Sequence, residues 1–344
     1  MKNIIFLAAA LLLTAACNKE PQQEPQKTEK ETATVSFKIT TPHQGTKSTF
    51  DDNTDFETVS LYIFNASTGN LETGKTFVKG TDFTDTGEIK LDCTTGNKTF
   101  FFLANSMVSH NYTTLTQFME AVYTVYGGYL PTNAKKIIPM YAQTTKNITG
   151  DTEVTLSATR QEAKISVKSV KNELKGSTAQ VLLDAIFLTN APAGFRPDGG
   201  TTFLSDPANW YNKSGAESIA SFTTPRSTFF DNTGLNITIG HGSSASTSGY
   251  NYYCFANPYD NTSSGATWAP RNSRLVIRAK INNEYYYYPV KLPVLEPNHT
   301  YTFTEITLNH FGSKDVDNPA EYGEISYKLN ILDWETGVET TETF

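Results

Sequence analysis

The chain contains 344 residues, with 28 Lys and Arg against 35 Asp and Glu, and 38% of its residues are hydrophobic. This length is sufficient for two domains, and this apolar content is sufficient to build a core. The formal net charge of -7 argues against a nucleic-acid partner, because proteins that bind phosphate backbones carry a clustered basic face. Thr, Tyr and Phe are abundant and favour β-strands, which excludes an all-helical fold.

Residues 1–16 have the pattern of a bacterial signal peptide. A positive start is followed by an apolar run at residues 4–13 and by small residues before Cys17. The run is too short to span a bilayer permanently. The join to Cys17 resembles a lipobox, in which the Cys thiol receives a diacylglyceryl group, although Thr14 stands where Leu is usual. We therefore predict lipidation of Cys17 and an outer-membrane lipoprotein, with ordinary secretory cleavage after Ala16 as the alternative.

A polar segment follows at residues 17–31. It is rich in Gln, Glu, Lys and Pro and has no large apolar side chain to bury, so we expect a disordered, solvated tether. Residues 18–20 resemble the acidic signals that send Bacteroidota lipoproteins to the outside of the outer membrane.

The first predicted strand lies at residues 32–40. Its apolar residues share one parity, which predicts a strand with one buried face. The apolar set is Ala33, Val35, Phe37 and Ile39. Residues 41–54 are rich in turn formers and predict an exposed loop that carries Lys47.

More strands and one helix are predicted in the next part of the chain. Alternation or apolar runs at residues 59–63, 100–103 and 153–158 indicate strands. Thr114 can cap a helix, with Gln117 completing a capping box, and the apolar spacing extends that helix to residue 126.

The strand pattern starts again near Arg160. Residues 274–292 predict a hairpin around a turn at residues 282–284. Strand after strand with turn residues between them predicts two β-sandwich domains in series, residues 32–160 and 161–344, with one short helix in the first.

No catalytic or metal site is predicted. Residues 51–55 have the oxygen spacing of a calcium loop, but Phe56 replaces the required Gly and Tyr62 the required Glu. The five His are scattered, without the spacing of metal ligands or of a catalytic base. We therefore expect no cofactor and no enzymatic activity.

The remaining chemically distinctive residues have ordinary interpretations. Three Cys are too few for a disulfide scaffold. Cys93 and Cys254 fall in different predicted domains, and buried free thiols are favoured over a bridge between them. Trp268 and the Tyr run at residues 285–288 can stack on sugars, although aromatic residues on strands more often form core or sheet surface.

Landmarks along almost the whole chain resemble the fimbrillins, the lipoprotein subunits of type V pili in Bacteroidota. The lipobox and tether come first. The later landmarks are VSLYIFNASTGNL at 59–71, TFFFLANS at 99–106, LSATRQEAKI at 156–165, NHTY at 298–301 and ILDWE at 331–335. The landmark at 156–165 has one additional residue before Arg160, compared with the family pattern.

The resemblance implies two transthyretin-like β-sandwiches, removal of the first strand by a trypsin-like protease outside the cell, and polymerisation by strand exchange. The partners would be other copies of this chain or related pilus subunits, and the assembled fimbrium would support adhesion to a host or glycan ligand. A shaft subunit is favoured, and tip and basal positions stay open. The alternative is a non-polymerising surface lipoprotein that binds glycans and keeps residues 32–40 in its mature form.

Basic residues indicate where maturation would occur. All six Arg lie from Arg160 onward, and Lys47 is the only Lys or Arg between Lys38 and Lys75. Because backbone pairing would protect Lys38, we predict cleavage between Lys47 and Ser48.

The C-terminal tail is predicted to be the donor strand. Ile325, Leu329 and Ile331 share one parity, whereas Trp334, Val338 and Phe344 take the other. The apolar face therefore switches near residue 331, as a bulge or a strand that leaves its own sheet would require. We assign Trp334, Val338 and Phe344 to the donor strand. The alternative is that the tail pairs within its own second domain.

Overall fold

The computed structural model describes residues 31–40, 56–83, 89–107, 111–125, 138–212, 235–247, 251–259, 272–316, 325–333 and 339–343. Strands dominate these residues, with one α-helix and two short 3-10 helices among them. The predicted mainly-β fold class is confirmed. In this part of the chain, no helix has the length and apolar character needed to cross a membrane.

Ten strands and the α-helix form the first half of the fold. The strands are β1 (Thr32–Thr40), β2 (Thr58–Asn65), β3 (Leu71–Val78), β4 (Ile89–Thr94), β5 (Gly96–Ala104), β6 (Ser106–Met107), β7 (Thr124–Val125), β8 (Met140–Ile148), β9 (Thr152–Ser157) and β10 (Thr159–Arg160). The helix, α1, spans Leu115–Glu120. The strands form a three-stranded sheet β4-β1-β9, a five-stranded sheet β10-β8-β5-β2-β3 and the pair β6-β7.

A shared hydrophobic core joins the three-stranded and five-stranded sheets. Each sheet turns one apolar face towards the other, as the period-two alternation of its strands predicts, so the two sheets form a sandwich. Besides the apolar residues of β1, the core contains Val59, Leu61 and Ile63 of β2, Phe100 and Phe102 of β5, Ala142 of β8, and Val154 and Leu156 of β9.

Helix α1 begins as predicted and ends early. Thr114 accepts a hydrogen bond from the backbone N–H of Gln117, whose side chain bonds back to the cap, so both halves of the capping box are present. The helix ends at Glu120, and the prediction that it extends to residue 126 is wrong. Tyr123 instead exchanges two backbone hydrogen bonds with Phe195, and this pairing overrides the helical periodicity of the sequence.

Thirteen strands form the second half. They are β11 (Glu162–Val167), β12 (Ser169–Asn172), β13 (Val181–Thr189), β14 (Ala191–Pro192), β15 (Trp210–Tyr211), β16 (Ile237–Ile239), β17 (Ser244–Ser246), β18 (Asn251–Phe255), β19 (Arg274–Ile281), β20 (Glu284–Lys291), β21 (His299–Leu308), β22 (Ile325–Asp333) and β23 (Glu339–Thr343). The 3-10 helices span Thr202–Ser205 and Pro207–Asn209.

Eleven of these described strands form two large sheets around one core, and β14 and β15 form a separate pair. One sheet has the order β17-β12-β21-β11-β18, and β22 and then β23 extend it from β21; the other has the order β16-β13-β19-β20. The predicted hairpin is present as β19 and β20. Its turn residues Asn282 and Asn283 have φ of 52° and 71°, as two-residue hairpin turns require.

The chain passes directly from the first set of sheets to the second. β10 pairs with β8 as far as Arg160, and β11 begins at Glu162. The N–H of the intervening Gln161 donates to the carbonyl oxygen of Pro139 at 2.9 Å. A single residue, itself hydrogen-bonded, therefore connects the two halves.

An aromatic cluster fills the contact between the halves. Phe118 of α1 lies against Phe101 on the outer face of the five-stranded sheet, with ring centroids 4.6 Å apart. Phe195 of the second half contacts Tyr123 and Phe255 at centroid distances of 5.6 and 5.7 Å. Burial raises the pKa of Tyr123 above its usual range, so this contact favours the neutral phenol.

Candidate functional site

Strand β1 lies in the middle of the three-stranded sheet. Thr32–Phe37 pair antiparallel with β4, and Val35–Thr40 pair parallel with β9. Both edges of β1 are therefore hydrogen-bonded. Loss of β1 would break two ladders at once and would leave β4 and β9 separated by two interstrand spacings, roughly 10 Å.

The apolar side chains of β1 point into the core of the first sandwich. Ala33, Val35 and Phe37 are 3%, 0% and 6% exposed, and Ile39 is partly buried against the same core. The Phe37 ring meets Phe100 edge-on at a centroid distance of 5.9 Å. The four residues predicted to share one face do so, and they fill a groove between β4 and β9.

Cys93 belongs to the wall of this groove. It is the register partner of Ala33 on β4 and is 6% exposed. Burial raises the pKa of its thiol. Cys254 is buried in the other core, and neither Cys forms a disulfide. The expectation of two buried thiols without a bridge between them is confirmed.

A buried ion pair supports one end of the groove. The Nζ atom of Lys98 donates to Glu72 at 2.6 Å and to Thr94 of β4 at 2.9 Å. The Lys98 side chain is 0% exposed. Burial by itself would raise the pKa of Glu72, but hydrogen bonds from Lys98, Thr94 and Asn65 and the positive charge of Lys98 lower it. This network fixes the end of β4 to strands β3 and β5 of the opposite sheet.

Two carboxylates contact β1 at a single residue, Thr34. Asp92 of β4 accepts a hydrogen bond from the Thr34 hydroxyl at 2.8 Å, and Asp151, just before β9, accepts one from the Thr34 backbone N–H at 2.8 Å. Neither Asp is predicted from the sequence. Both lie in turn-like or alternating polar sequence, where nothing distinguishes them from other surface carboxylates.

Several predicted site residues lie outside the described residues. These are the lipidation site Cys17, the maturation site Lys47 and Ser48, the donor residues Trp334, Val338 and Phe344, the 51–55 acidic segment and Trp268. Lys38 is described, and its exposed side chain projects from the paired strand β1.

The described part of the tail pairs within the second half of the fold. β23 runs antiparallel to β22, with Thr340 opposite Ile331. This is the alternative arrangement considered for the tail. On β22, Ile325, Ile331 and the buried Leu329 pack on the second core, as their shared parity predicts.

The Tyr run on β20 divides between core and surface. Tyr288 is fully buried, and its hydroxyl donates to the carbonyl oxygen of His310 at 2.9 Å. Tyr285 is 45% exposed, and the charged groups of Arg278 and Lys280 lie over its ring, 5.3 and 5.6 Å from the ring centroid. Of the described residues, no set of three or more His, Cys, Asp or Glu is placed to hold a metal ion.

The first half of the chain is similar to a known protein family. Residues 33–178 match the family model of the major fimbrial subunit protein FimA. No curated protein sequence is significantly similar to the chain.

Solved structures share the fold along most of the chain. A fimbrilin from Porphyromonas gingivalis is 16% identical, with a TM-score of 0.57, and the match covers 88% of this chain and 97% of the fimbrilin. The tip fimbrial protein Mfa3 from the same organism, with a C-terminal truncation, is 13% identical, with a TM-score of 0.51, and the match covers 88% of this chain and 100% of Mfa3. Residues 33–178 are therefore similar in sequence to the major fimbrial subunit family, and the chain shares the fold of the solved fimbrilin and of Mfa3 over most of its length.

Proposed function

We propose that this chain is a fimbrial subunit that is exported as a lipoprotein, loses β1 by proteolysis and polymerises by strand exchange into the shaft of an adhesive surface fimbrium. The observation that carries this proposal is the position of β1. It is the central strand of its sheet and fills an apolar groove, so its removal would create a site that another strand can occupy.

Burial in the groove supports a tight polymer contact. Val35, Phe37 and Ile39 are the large apolar side chains that β1 contributes to the core. Refilling the groove with comparable side chains recovers about 1.5–3 kcal/mol for each. Three such side chains contribute roughly 5–9 kcal/mol, and the two backbone ladders add to this.

Export and anchoring rest on the N-terminal sequence. In this proposal residues 1–16 are removed, Cys17 is acylated, and residues 17–31 tether domains 32–160 and 161–344 to the outer membrane. The acyl chains supply membrane affinity in proportion to their buried methylenes. The anchor is lost when cleavage separates the tether from the subunit.

Cleavage between Lys47 and Ser48 would separate β1 from the rest of the subunit. β1 ends at Thr40 and β2 begins at Thr58, so Lys47 lies in the connection between them. Lys38 lies where β1 is paired with β9, and backbone pairing protects such a bond from proteases.

The C-terminal tail is the donor in this proposal, through Trp334, Val338 and Phe344. Within the described residues β23 pairs with β22 alone. An edge strand can leave its own sheet without opening the core beneath the other strands. The tail can therefore exchange its pairing with β22 for the groove of a neighbour.

A second candidate function is glycan binding by a non-polymerising surface lipoprotein. The observation that favours it is the exposed Tyr285, over whose ring two basic side chains lie, since aromatic rings stack on sugars. This candidate requires that residues 32–40 stay in the mature protein.

N-terminal sequencing of protein sheared from the cell surface separates the two functions. A mature terminus at Ser48 supports maturation, and a terminus at Cys17 supports the glycan-binding lipoprotein. The variant Lys47→Ala should block processing, whereas Lys75→Ala, an exposed Lys on β3, should not. Normal processing of Lys47→Ala would exclude this cleavage site.

A further inference from the structure

We propose that Asp92 and Asp151 are specificity-determining residues of the groove, and that they select a strand with a hydroxyl side chain where β1 has Thr34. The strand that they select is the C-terminal strand of a second copy of this chain. This inference rests on the proposed function, because it concerns the strand that replaces β1.

The two carboxylates contact Thr34 from opposite sides of the groove. Asp92 is the register partner of Thr34 on β4 and accepts from its hydroxyl at 2.8 Å. On the other side, the β1–β9 ladder begins at Val35 opposite Thr152. Asp151 precedes that ladder and accepts the N–H of Thr34 at 2.8 Å. Its carboxylate therefore takes the place of the backbone acceptor that the ladder lacks at this position.

The two contacts differ in what they recognise. Asp151 accepts a backbone N–H, which every residue except Pro supplies, so it fixes the register of the strand. Asp92 accepts a hydrogen bond from a side-chain hydroxyl. Ser or Thr at this position supplies the donor and Val does not, whereas an acidic side chain would be repelled by the carboxylate. The pair thus recognises one position of the incoming strand by its chemistry.

The parity of the tail supports a second copy as the occupant. Trp334, Val338 and Phe344 share one parity, and a tail that buries them in the groove turns the other parity outward. Thr341 and Thr343 belong to that outward set, the same face on which Thr34 meets Asp92. Glu335 and Glu339 share this outward parity. A register that places Thr341 or Thr343 at the position of Thr34 therefore supplies the hydroxyl group that Asp92 accepts, whereas a register that places Glu339 there is repelled.

A double-mutant cycle on the intact chain tests the contact itself. Thr34→Val should lower the folding equilibrium constant roughly threefold when Asp92 is present, since the hydrogen bond is exposed to solvent, and less than about 1.5-fold in an Asp92→Ala background. Denaturant unfolding supplies the measurement. An equal loss in both backgrounds would overturn the proposed role of Asp92. This experiment requires no strand removal, so its outcome is independent of maturation.

Peptide binding tests the selection of the tail. Protein matured by cleavage after Lys47 is titrated with fluorescent peptides of residues 332–344. Joint replacement of Thr341 and Thr343 by Val should weaken binding roughly tenfold, whereas Thr340→Val, on the opposite parity, should not. If the Thr341 and Thr343 replacement weakens peptide binding no more than Thr340→Val does, or does not weaken it at all, the groove does not select these hydroxyl groups and the proposal is wrong. If the β1 peptide binds and the tail peptide does not, the donor role of the tail is wrong, whatever the double-mutant cycle gives.

Discussion

Phe37→Ala should release β1 from its groove much more often than in the parent protein. Phe37 is 6% exposed and packs edge-on against Phe100 at 5.9 Å. Truncation of a buried Phe costs about 3–5 kcal/mol. Because the side chain retains slight exposure, we take the lower limit, about 3 kcal/mol. At 1.4 kcal/mol for each factor of ten, β1 should open roughly 150-fold more often.

The thiol of Cys93 measures this opening. It lies opposite Ala33 and is 6% exposed while β1 is in place. When strand closure is faster than labelling, the rate of maleimide labelling is proportional to the open population. Cys254 is 0% exposed in the second core and serves as an internal control. Cys17→Ser in all variants removes the third thiol.

Lys38→Ala is the matched control, because Lys38 is the exposed neighbour of Phe37 on β1. It should change Cys93 labelling only a few-fold. Unchanged Cys93 labelling in Phe37→Ala would show that Phe37 does not hold the strand. Equal acceleration of Cys93 and Cys254 would indicate global unfolding and would refute the local release of β1.

Four further predictions concern the anchor, two buried networks and the tail. Cys17→Ala should release soluble or unprocessed precursor from the membrane fraction, and continued membrane partitioning would exclude the lipid anchor. Glu72→Gln leaves Lys98 buried without its carboxylate and should cost about 3 kcal/mol at pH 7. The pKa of Glu72 is lowered in the folded state, so Glu72 contributes to the free energy of unfolding above its unfolded pKa, and this contribution disappears as pH falls through the lower folded pKa. At pH 3 the free energies of unfolding of Glu72→Gln and of the parent should therefore differ less than at pH 7. An equal difference at both pH values would contradict the role assigned to Glu72. Burial raises the pKa of Tyr62, so its contribution to the free energy of unfolding is present below about pH 10 and is lost as pH rises beyond it. Between pH 8 and pH 11, the free energy of unfolding should therefore fall less in Tyr62→Phe than in the parent, as measured by denaturation. A truncation after residue 335 should fold as a monomer without a heat-sensitive ladder on gels, and a normal ladder would exclude the tail as donor.

Period-two alternation predicted the orientation of β1 correctly from sequence. A strand with one buried face must place every second side chain in the core, so the parity of Val35 and Phe37 was sufficient. Local chemistry also predicted the cap at Thr114 and the Asn turn between β19 and β20, because both depend on residues close in sequence. These features share one property, which is that the interacting groups are neighbours along the chain.

Contacts between distant segments were not predictable in the same way. Periodicity extended α1 beyond Glu120 because it contains no information on Phe195, which pairs with Tyr123 across the two halves. The contacts of Thr34 with Asp92 and Asp151 span 58 and 117 residues. Parity assigns a side chain to a face of its sheet, but it does not name the strands on either side. The residues that contact β1 at the groove edge therefore required the structure.

The strands that border the groove, β4 and β9, are also held by hydrogen bonds to the opposite sheet. Lys98 of β5 and Lys146 of β8 are register partners in the five-stranded sheet. Lys98 donates to Thr94 of β4 at 2.9 Å, and Lys146 donates to the carbonyl oxygen of Glu153 in β9 at 2.7 Å. Lys98 thus bonds β4 and Lys146 bonds β9, the two strands that border β1. Both lysines belong to the five-stranded sheet on the opposite side of the core. Neither bond involves a β1 atom, so the proposed removal of β1 would leave both bonds in place to hold β4 and β9 for the strand that follows.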